Sequence, residues 1–249
     1  MSAPTRKKKP DVKLIHLLPN ILTLSAICAG LTAIRYGFHG EFEKAVWLIL
    51  LACILDGIDG RLARLLKCPT PIGAELDSLA DFLNFGVAPA LVLYSWALTD
   101  FQRLGWIAAL AYAVCCVLRL ARFNVSNRQD PLTKSDTFTG VPSPAGAVLV
   151  MLPMFVSFSM QDQPTPHALS IAVYLLAIGF LMISRIPTYA FKNITVDREN
   201  AKFWLLGAVL IAGAFLTFFW ATLVVLTLAY GATLVWAFKS FYKASNSKG

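Results

Sequence analysis

Residues 56–81 decide the fold and read Asp56-Gly57-Ile58-Asp59-Gly60-Arg61-Leu62-Ala63-Arg64, followed after eight residues by Gly73, Asp77 and Asp81. Asp56 and Asp59 are three residues apart, and Asp77 and Asp81 are four apart, so on helices each pair occupies one face. Both pairs border runs apolar enough for a bilayer, where a carboxylate is unfavourable unless it is paired or binds a cation. Four converging carboxylates would repel one another strongly without a divalent ion. The stretch therefore predicts a cation site on a helical hairpin, with separate pairing to nearby arginines as the alternative.

The composition is typical of a polytopic membrane protein. The chain has 249 residues, of which 57% are hydrophobic and 14% charged, and its mean hydropathy is +0.64. A soluble domain would carry about 25% charged residues. Apolar runs near the ~20-residue length of a bilayer span recur along the sequence. We predict an all-α fold of about eight spans, at roughly 15–37, 43–66, 77–98, 104–123, 144–160, 168–187, 202–219 and 221–239.

The positive charge indicates the orientation of these spans. The net charge is +8, and of the 22 Lys and Arg residues 19 fall on the side that holds both termini and the acidic stretch. Because cytoplasmic loops carry the excess of Lys and Arg, we expect that side to face the cytoplasm. The basic residues are spread over loops without an aromatic stacking surface, which favours contact with anionic membrane lipids and not with nucleic acid.

The acids suggest the chemistry of the site. Carboxylate oxygens in this number suit Mg²⁺ or Mn²⁺, and two such ions could clamp a diphosphate. Gly57 and Gly60 remove side chains beside the acids, either to let a bulky ligand approach or to let helices pack closely. A divalent-cation transporter is a rival from another class. It would need polar groups through several spans, and the fifth to eighth predicted spans contain no acidic residue.

The spacing Asp-x-x-Asp-Gly-x-x-Ala-Arg, eight residues, Gly, three residues, Asp, three residues, Asp resembles the signature of the CDP-alcohol phosphatidyltransferases at every fixed position. The matching residues are Asp56, Asp59, Gly60, Ala63, Arg64, Gly73, Asp77 and Asp81. The resemblance implies a six-helix core that binds a CDP-linked substrate and two divalent cations, Mg²⁺ or Mn²⁺, at the cytoplasmic membrane face. It also implies a homodimer.

The same resemblance implies roles for individual residues. Asp56, Asp59 and Asp77 would be metal ligands, and Asp81 would be both a ligand and the base that deprotonates the attacking hydroxyl. The expected cytidine and diphosphate site comprises Gly60, Ala63, Arg64 and Gly73, together with Asn20 and Thr23. The last two belong to Leu18-Pro19-Asn20-Ile21-Leu22-Thr23, which resembles a Pro-Asn-x-x-Thr element of the family. Ordinary helix capping is the alternative explanation of that element.

Two further segments bear on the acceptor alcohol. Residues 118–124 and 138–145, with two spans beyond the six-helix core, resemble the membrane-integral phosphatidylserine synthases of bacteria. This implies CDP-diacylglycerol and L-serine as substrates and a bacterial cytoplasmic (inner) membrane location. Arg119 and Arg122 are candidates to bind the serine carboxylate, Glu75 its ammonium group, and Lys134 is a weaker candidate. Alternatively, Arg119 and Arg122 are basic residues at the membrane boundary whose side chains reach the lipid headgroups. The alternative to serine as the acceptor is glycerol 3-phosphate or an inositol phosphate, which related enzymes use.

The chain is thereby divided into three parts. We expect a basic cytoplasmic tail over residues 1–14 and a catalytic membrane core over residues 15–190. Residues 191–249 would add two transmembrane helices and a short cytoplasmic tail.

Overall fold

The computed structural model describes residues 17–66, 70–129, 137–160, 167–184, 187–189 and 201–246. These ranges are mostly helical, as the sequence predicts. The α-helices are α1 (Leu18–Phe38), α2 (Phe42–Leu65), α3 (Pro71–Asp81), α4 (Ala88–Leu93), α5 (Gln102–Gln129), α6 (Ser143–Val150), α7 (Leu152–Ser159), α8 (Ala168–Ile183), α9 (Ala201–Thr217) and α10 (Phe219–Asn246). Wider π-helical turns occupy Phe82–Val87 and Tyr94–Leu98, and a 3₁₀ turn occupies Thr99–Phe101.

Two short strands depart from the all-helical prediction. Strands β1 (Thr137–Thr139) and β2 (Pro187–Tyr189) pair antiparallel, with Phe138 opposite Thr188. The first lies between the predicted spans 104–123 and 144–160, and the second begins at the last residue of the predicted span 168–187. They pair because backbone N–H and C=O groups outside a helix need partners, and two adjacent loops can supply them to each other.

Helix length and hydropathy support a multi-pass membrane protein. Among the described residues, three helical runs are long and apolar enough to cross a bilayer, namely Leu18–Phe38, Pro71–Ser126 and Phe219–Ala237. The second run has 56 residues. At 1.5 Å per residue it far exceeds a ~30 Å hydrocarbon core, so it must fold back on itself. The number of about eight spans stays a prediction.

A fold-back at the 3₁₀ turn is visible in the packing of α5. The Tyr112 hydroxyl of α5 donates a 2.9 Å hydrogen bond to the Phe85 carbonyl in the first π-helical turn. Nearer the predicted cytoplasmic end, Asn124 Nδ2 donates to Ser78 Oγ at 2.9 Å. These two bonds fix α5 antiparallel to the run that begins at α3.

Helix α1 packs closely against the same run because of its glycines. A Cβ at Gly30 would lie 2.1 Å from Asn84 Oδ1, and a Cβ at Gly37 would lie 3.1 Å from Val92 Cγ2. Ser95 Oγ also donates to the Gly37 carbonyl at 2.9 Å. Since small residues let helix backbones approach, these contacts set α1 in register with the helix that carries Asp77 and Asp81.

One predicted span is interrupted, and the last two predicted spans are separate helices. The span predicted at 144–160 is divided between α6 and α7 at Met151, because Pro153 lacks the N–H that would continue the helix. The chain also breaks between α9 and α10 at Phe218. There, the ring of Phe219 stacks on Trp47 of α2 with centroids 3.9 Å apart. The neighbouring Trp220 packs on Phe158 of α7 at 4.8 Å, so aromatic contacts join α10 to the earlier helices.

Candidate metal and nucleotide site

The four acids of the motif lie on facing ends of α2 and α3. Asp56 and Asp59 belong to the second half of α2, and Asp77 and Asp81 to the second half of α3. Thr70 is the N-cap of α3, and its Oγ1 accepts a 3.0 Å hydrogen bond from the Gly73 N–H. Pro71 occupies the first turn of the helix. A side-chain cap with proline at the next position is a strong helix start, so the local sequence sets where α3 begins and which face carries the acids.

Three of the carboxylates converge. One oxygen each from Asp56, Asp59 and Asp77 lies within 4.8 Å of the others. Asp81 stands beside this group, with its carboxyl within hydrogen-bonding distance of that of Asp56. Asp59 is only 2% exposed. Buried acids at such separations repel one another unless a cation lies between them.

Two buried carboxylate oxygens without hydrogen-bond partners indicate that this group of acids suits a cation. Asp59 Oδ1 and Asp81 Oδ1 are both buried without a hydrogen-bond partner. A buried oxygen without a partner is unfavourable by about 1–3 kcal/mol, and more when charged. Hard divalent cations take carboxylate oxygens as ligands, so this donor set fits Mg²⁺ or Mn²⁺.

Thr23 orients one of these acids. Its Oγ1 donates a 2.6 Å hydrogen bond to Asp59 Oδ2, from one helix to the next. The bond leaves Asp59 Oδ1 as the atom available to a ligand. Sequence reasoning assigned Thr23 to the nucleotide; in the structure it both lines the adjacent pocket and holds this carboxylate.

A pocket of about 160 Å³ opens beside the acids. It is bounded by α1, α2 and α3. Its walls include all but one of the residues expected to bind nucleotide and also Pro19, Thr70 and Ala74. The lining residues are Pro19, Asn20, Thr23, Asp59, Gly60, Ala63, Thr70, Gly73, Ala74 and Asp77. Thr70 was missed by the sequence analysis, although Thr-Pro is a recognisable helix start.

Arg64 is the expected nucleotide residue outside this lining. Its Nε donates at 2.9 Å to the Gly60 carbonyl of its own helix, and its side chain is exposed. The glycines beside it differ in their surroundings. A Cβ at Gly57 or Gly60 would meet nothing within 4 Å, whereas at Gly73 it would lie 2.9 Å from Asn20 Oδ1 and Thr70 Oγ1. Open space at Gly57 and Gly60 favours ligand approach over helix packing within this chain.

Arg119 does not line this pocket, but its charge acts on Asp81. Its Nη1 donates at 2.6 Å to Ser143 Oγ, and its Nε is buried without a partner. Its charge acts on Asp81 from beyond ion-pair distance, and it also acts on Tyr230 of α10. Sequence reasoning pointed to the segment 138–145 without giving Ser143 a role, and it missed Tyr230, which belongs to none of the motifs.

The other acceptor candidates lie elsewhere. Arg122 Nη1 donates at 2.9 Å to the Ile183 carbonyl at the end of α8, so this guanidinium faces a helix terminus and not the acids. Glu75 is exposed near the start of α3. Lys134 lies outside the described residues.

The site belongs to a chain with recognisable relatives. Residues 16–184 match the CDP-alcohol phosphatidyltransferase family. A CDP-diacylglycerol–serine O-phosphatidyltransferase of Mycobacterium leprae is 39% identical over 202 residues, which cover 80% of this chain and 67% of the relative. The enzyme of the same name from Bacillus subtilis is 34% identical over 76% of this chain and 99% of its own length. An archaetidylserine synthase of Methanothermobacter thermautotrophicus is 34% identical over 68% of each chain. The protein belongs to the CDP-alcohol phosphatidyltransferase family.

Proposed function

We propose that the protein makes phosphatidylserine by transferring the phosphatidyl group of CDP-diacylglycerol to the hydroxyl of L-serine, with release of CMP. The observation that carries this proposal is the acidic cluster with unpartnered oxygens, beside a pocket between α1, α2 and α3. The relatives at 34–39% identity that are named for serine transfer support the choice of reaction.

Two divalent cations, Mg²⁺ or Mn²⁺, fit the oxygens of Asp56, Asp59, Asp77 and Asp81. When bound, such ions neutralise the diphosphate and make its phosphorus more electrophilic. Thr23 donates a hydrogen bond to Asp59 Oδ2, and Asp59 Oδ1 stays available to a cation. The walls formed by Asn20, Gly60, Ala63 and Gly73 hold the cytidine and diphosphate, and Arg64 can swing from its own helix to a phosphate oxygen.

Asp81 acts as the general base in this reaction. Its unpartnered Oδ1 accepts the proton of the serine hydroxyl. The serine oxygen forms a bond to the β-phosphorus, next to diacylglycerol. The bond from that phosphorus to the bridging oxygen breaks, and CMP leaves with the bridging oxygen. Atoms and charge balance without a further reactant.

Arg119 is the cation best placed for the serine carboxylate. It lies beside Asp81, and a guanidinium binds a carboxylate through paired N–H donors. Arg122 is a weaker candidate because it caps α8. Glu75 remains a candidate for the serine ammonium group, and Lys134 stays in the proposal on sequence grounds alone.

The small number of cations near Asp81 favours serine over phosphorylated acceptors. Glycerol 3-phosphate or an inositol phosphate would bring a dianion and require several cations beside the base. Among the residues that the structure describes, Arg119 is the cation whose charge acts on Asp81. The archaeal relative supports the same acceptor, because its name joins serine to a different lipid. A cation-transport function is disfavoured, since α6 to α10 contain no acidic residue in their described sequence.

We also infer where and how the enzyme works. The charge distribution favours a bacterial inner membrane, with the site and both termini facing the cytoplasm and anionic lipids around the basic loops. Residues 15–190 form the catalytic core, residues 1–14 a tail, and residues 191–249 an addition to the core. A homodimer is part of this proposal.

An acceptor screen tests the proposal. Purified protein with CDP-diacylglycerol and Mn²⁺ or Mg²⁺ is offered L-serine, glycerol 3-phosphate or inositol phosphate, and CMP is quantified. We expect CMP release to depend on serine. Release with glycerol 3-phosphate and not with serine would overturn the choice of acceptor.

A further inference from the structure

Ser143, the first residue of α6, is a buried hydroxyl with a charged donor. Its side chain is 0% exposed, and Arg119 Nη1 donates to its Oγ at 2.6 Å. The Cys116 thiol, one turn before Arg119 on α5, also contacts this hydroxyl. A neutral residue in the α6 segment thus holds the guanidinium that lies beside Asp81.

The guanidinium of Arg119 is only partly satisfied by this contact. Arginine has five N–H donors in a planar fork. One Nη1 donor is directed to Ser143, while Nε is buried without a partner. Arg119 forms no ion pair with any residue in the described part of the chain. Arg119 as a whole is half-buried. A partly desolvated cation without a carboxylate partner is unfavourable, and a bound anion would reduce that penalty.

The chemistry of the partner matters here. A carboxylate at position 143 would neutralise Arg119 and compete with an incoming anion. A hydroxyl orients the fork by accepting one hydrogen bond and leaves the positive charge available. Ser143 is therefore suited to positioning a cation for a ligand, and less suited to cancelling its charge.

The fold fixes Ser143 through the turn that precedes α6. Gly140 has φ 83°, and a Cβ there would lie 2.7 Å from the carbonyl oxygens of Met182 and Ser184. The turn is thus pressed against the end of α8, where Arg122 also donates to the Ile183 carbonyl. Arg119 and Arg122, one turn apart on α5, thus fix the start of α6 and the end of α8 relative to each other.

We propose that Ser143 is a positioning residue for the acceptor, which orients Arg119 toward the carboxylate of an amino-acid alcohol. This inference rests on the proposed function. It assigns selection of a carboxylate-bearing acceptor to the Ser143–Arg119 pair, while the acidic cluster handles the diphosphate. Loss of the hydroxyl should weaken serine binding and leave the lipid substrate unaffected.

Steady-state kinetics of the full-length protein test this assignment. In Ser143→Ala we expect the KM for serine to rise about tenfold, the typical effect of losing a hydrogen bond to a charged group. The KM for CDP-diacylglycerol and the kcat at saturating serine should stay within about twofold, since neither uses the hydroxyl. KM does not depend on the fraction of active protein, so partial misfolding does not mimic the result.

Three further variants separate the loss of the hydroxyl from a general effect of substitution. Ser143→Cys, with a weaker acceptor of similar size, should give an intermediate serine KM, and Ser143→Thr should restore it. Ser95→Ala removes a comparable hydrogen bond, to the Gly37 carbonyl, and should change neither KM. An unchanged serine KM in the Ala and Cys variants, or an equal rise in both KM values, would overturn the inference. If the unaltered protein does not use serine at all, the proposed function itself has failed.

Discussion

Thr23 Oγ1 and Asp59 Oδ2 are joined by a 2.6 Å hydrogen bond between α1 and α2. The bond occupies one carboxylate oxygen of Asp59 and leaves the other without a partner, in a carboxylate that converges with those of Asp56 and Asp77. Helix α1 carries none of the four acids, yet it determines how one of them is presented. A supporting contact of this kind orients a metal ligand and tunes its affinity.

Thr23→Val should weaken metal activation. Loss of the hydroxyl frees the Asp59 carboxylate to rotate, and we expect the half-saturating Mn²⁺ concentration to rise by roughly 10- to 100-fold. Thr23→Ser retains the donor and should stay close to the unaltered protein. Thr32→Val is a matched control, because its hydroxyl donates only to the Cys28 carbonyl of its own helix. Equal metal dependence of Thr23→Val and the control would show that Thr23 does not support Asp59.

Gly73→Ala should damage the pocket that we propose binds the nucleotide. The added methyl group would lie 2.9 Å from Asn20 Oδ1 and from Thr70 Oγ1, so the pocket wall or the start of α3 must shift. A displacement near 1 Å at a reacting site can lower the rate about 100-fold, so we expect kcat/KM for CDP-diacylglycerol to fall by roughly 10- to 100-fold. Gly213→Ala in α9 has open space and should be active. Normal kinetics of Gly73→Ala would refute this use of the pocket.

Gly30→Ala should destabilise the fold by about 1–3 kcal/mol, the usual effect of overpacking. Its methyl group would lie 2.1 Å from Asn84 Oδ1, in the register contact between α1 and the helix of Asp77 and Asp81. Asn84 is 0% exposed and neither amide atom has a partner, so Asn84→Ala removes a buried unsatisfied group as well as the clash. Asn84→Ala should therefore raise the denaturant midpoint more in the Gly30→Ala background than in the unaltered protein. Equal changes in the two backgrounds would show that position 30 does not clash with Asn84.

Substitution of Arg119 and substitution of Arg122 should have different effects. Arg119→Ala should raise the KM for serine by about tenfold or more, because it removes the cation beside Asp81. Arg122→Ala should instead lower thermal stability, because it removes the donor to the Ile183 carbonyl at the end of α8. Kinetics and melting curves of both variants measure this difference. A serine KM defect confined to Arg122→Ala would reverse the assignment.

Local spacing explains what could be predicted from the sequence. The acids at positions 56, 59, 77 and 81 follow helical periodicity and flank a short connection, so their meeting on a hairpin needs no tertiary information. Gly73 and Asn20 were also expected at the nucleotide site, and both line the pocket.

Contacts between distant segments could not be derived in the same way. The rotation of α5 about its axis decides that Arg119 meets Ser143 while Arg122 meets Ile183, and two arginines one turn apart look alike in sequence. The hydrogen bond from Thr23 to Asp59 spans 36 residues. The pairing of β1 with β2 depends on two loops that meet only after the helices have packed.

Transfer of labelled L-serine into lipid tests the central claim most directly. Purified protein and Asp81→Asn are compared side by side with CDP-diacylglycerol and Mn²⁺, and labelled lipid and CMP are both quantified. We expect equimolar labelled phosphatidylserine and CMP from the unaltered protein, and a rate roughly 100- to 10,000-fold lower from Asp81→Asn, the range typical of losing a general base. No labelled lipid from the unaltered protein, or near-normal turnover by Asp81→Asn, would contradict it.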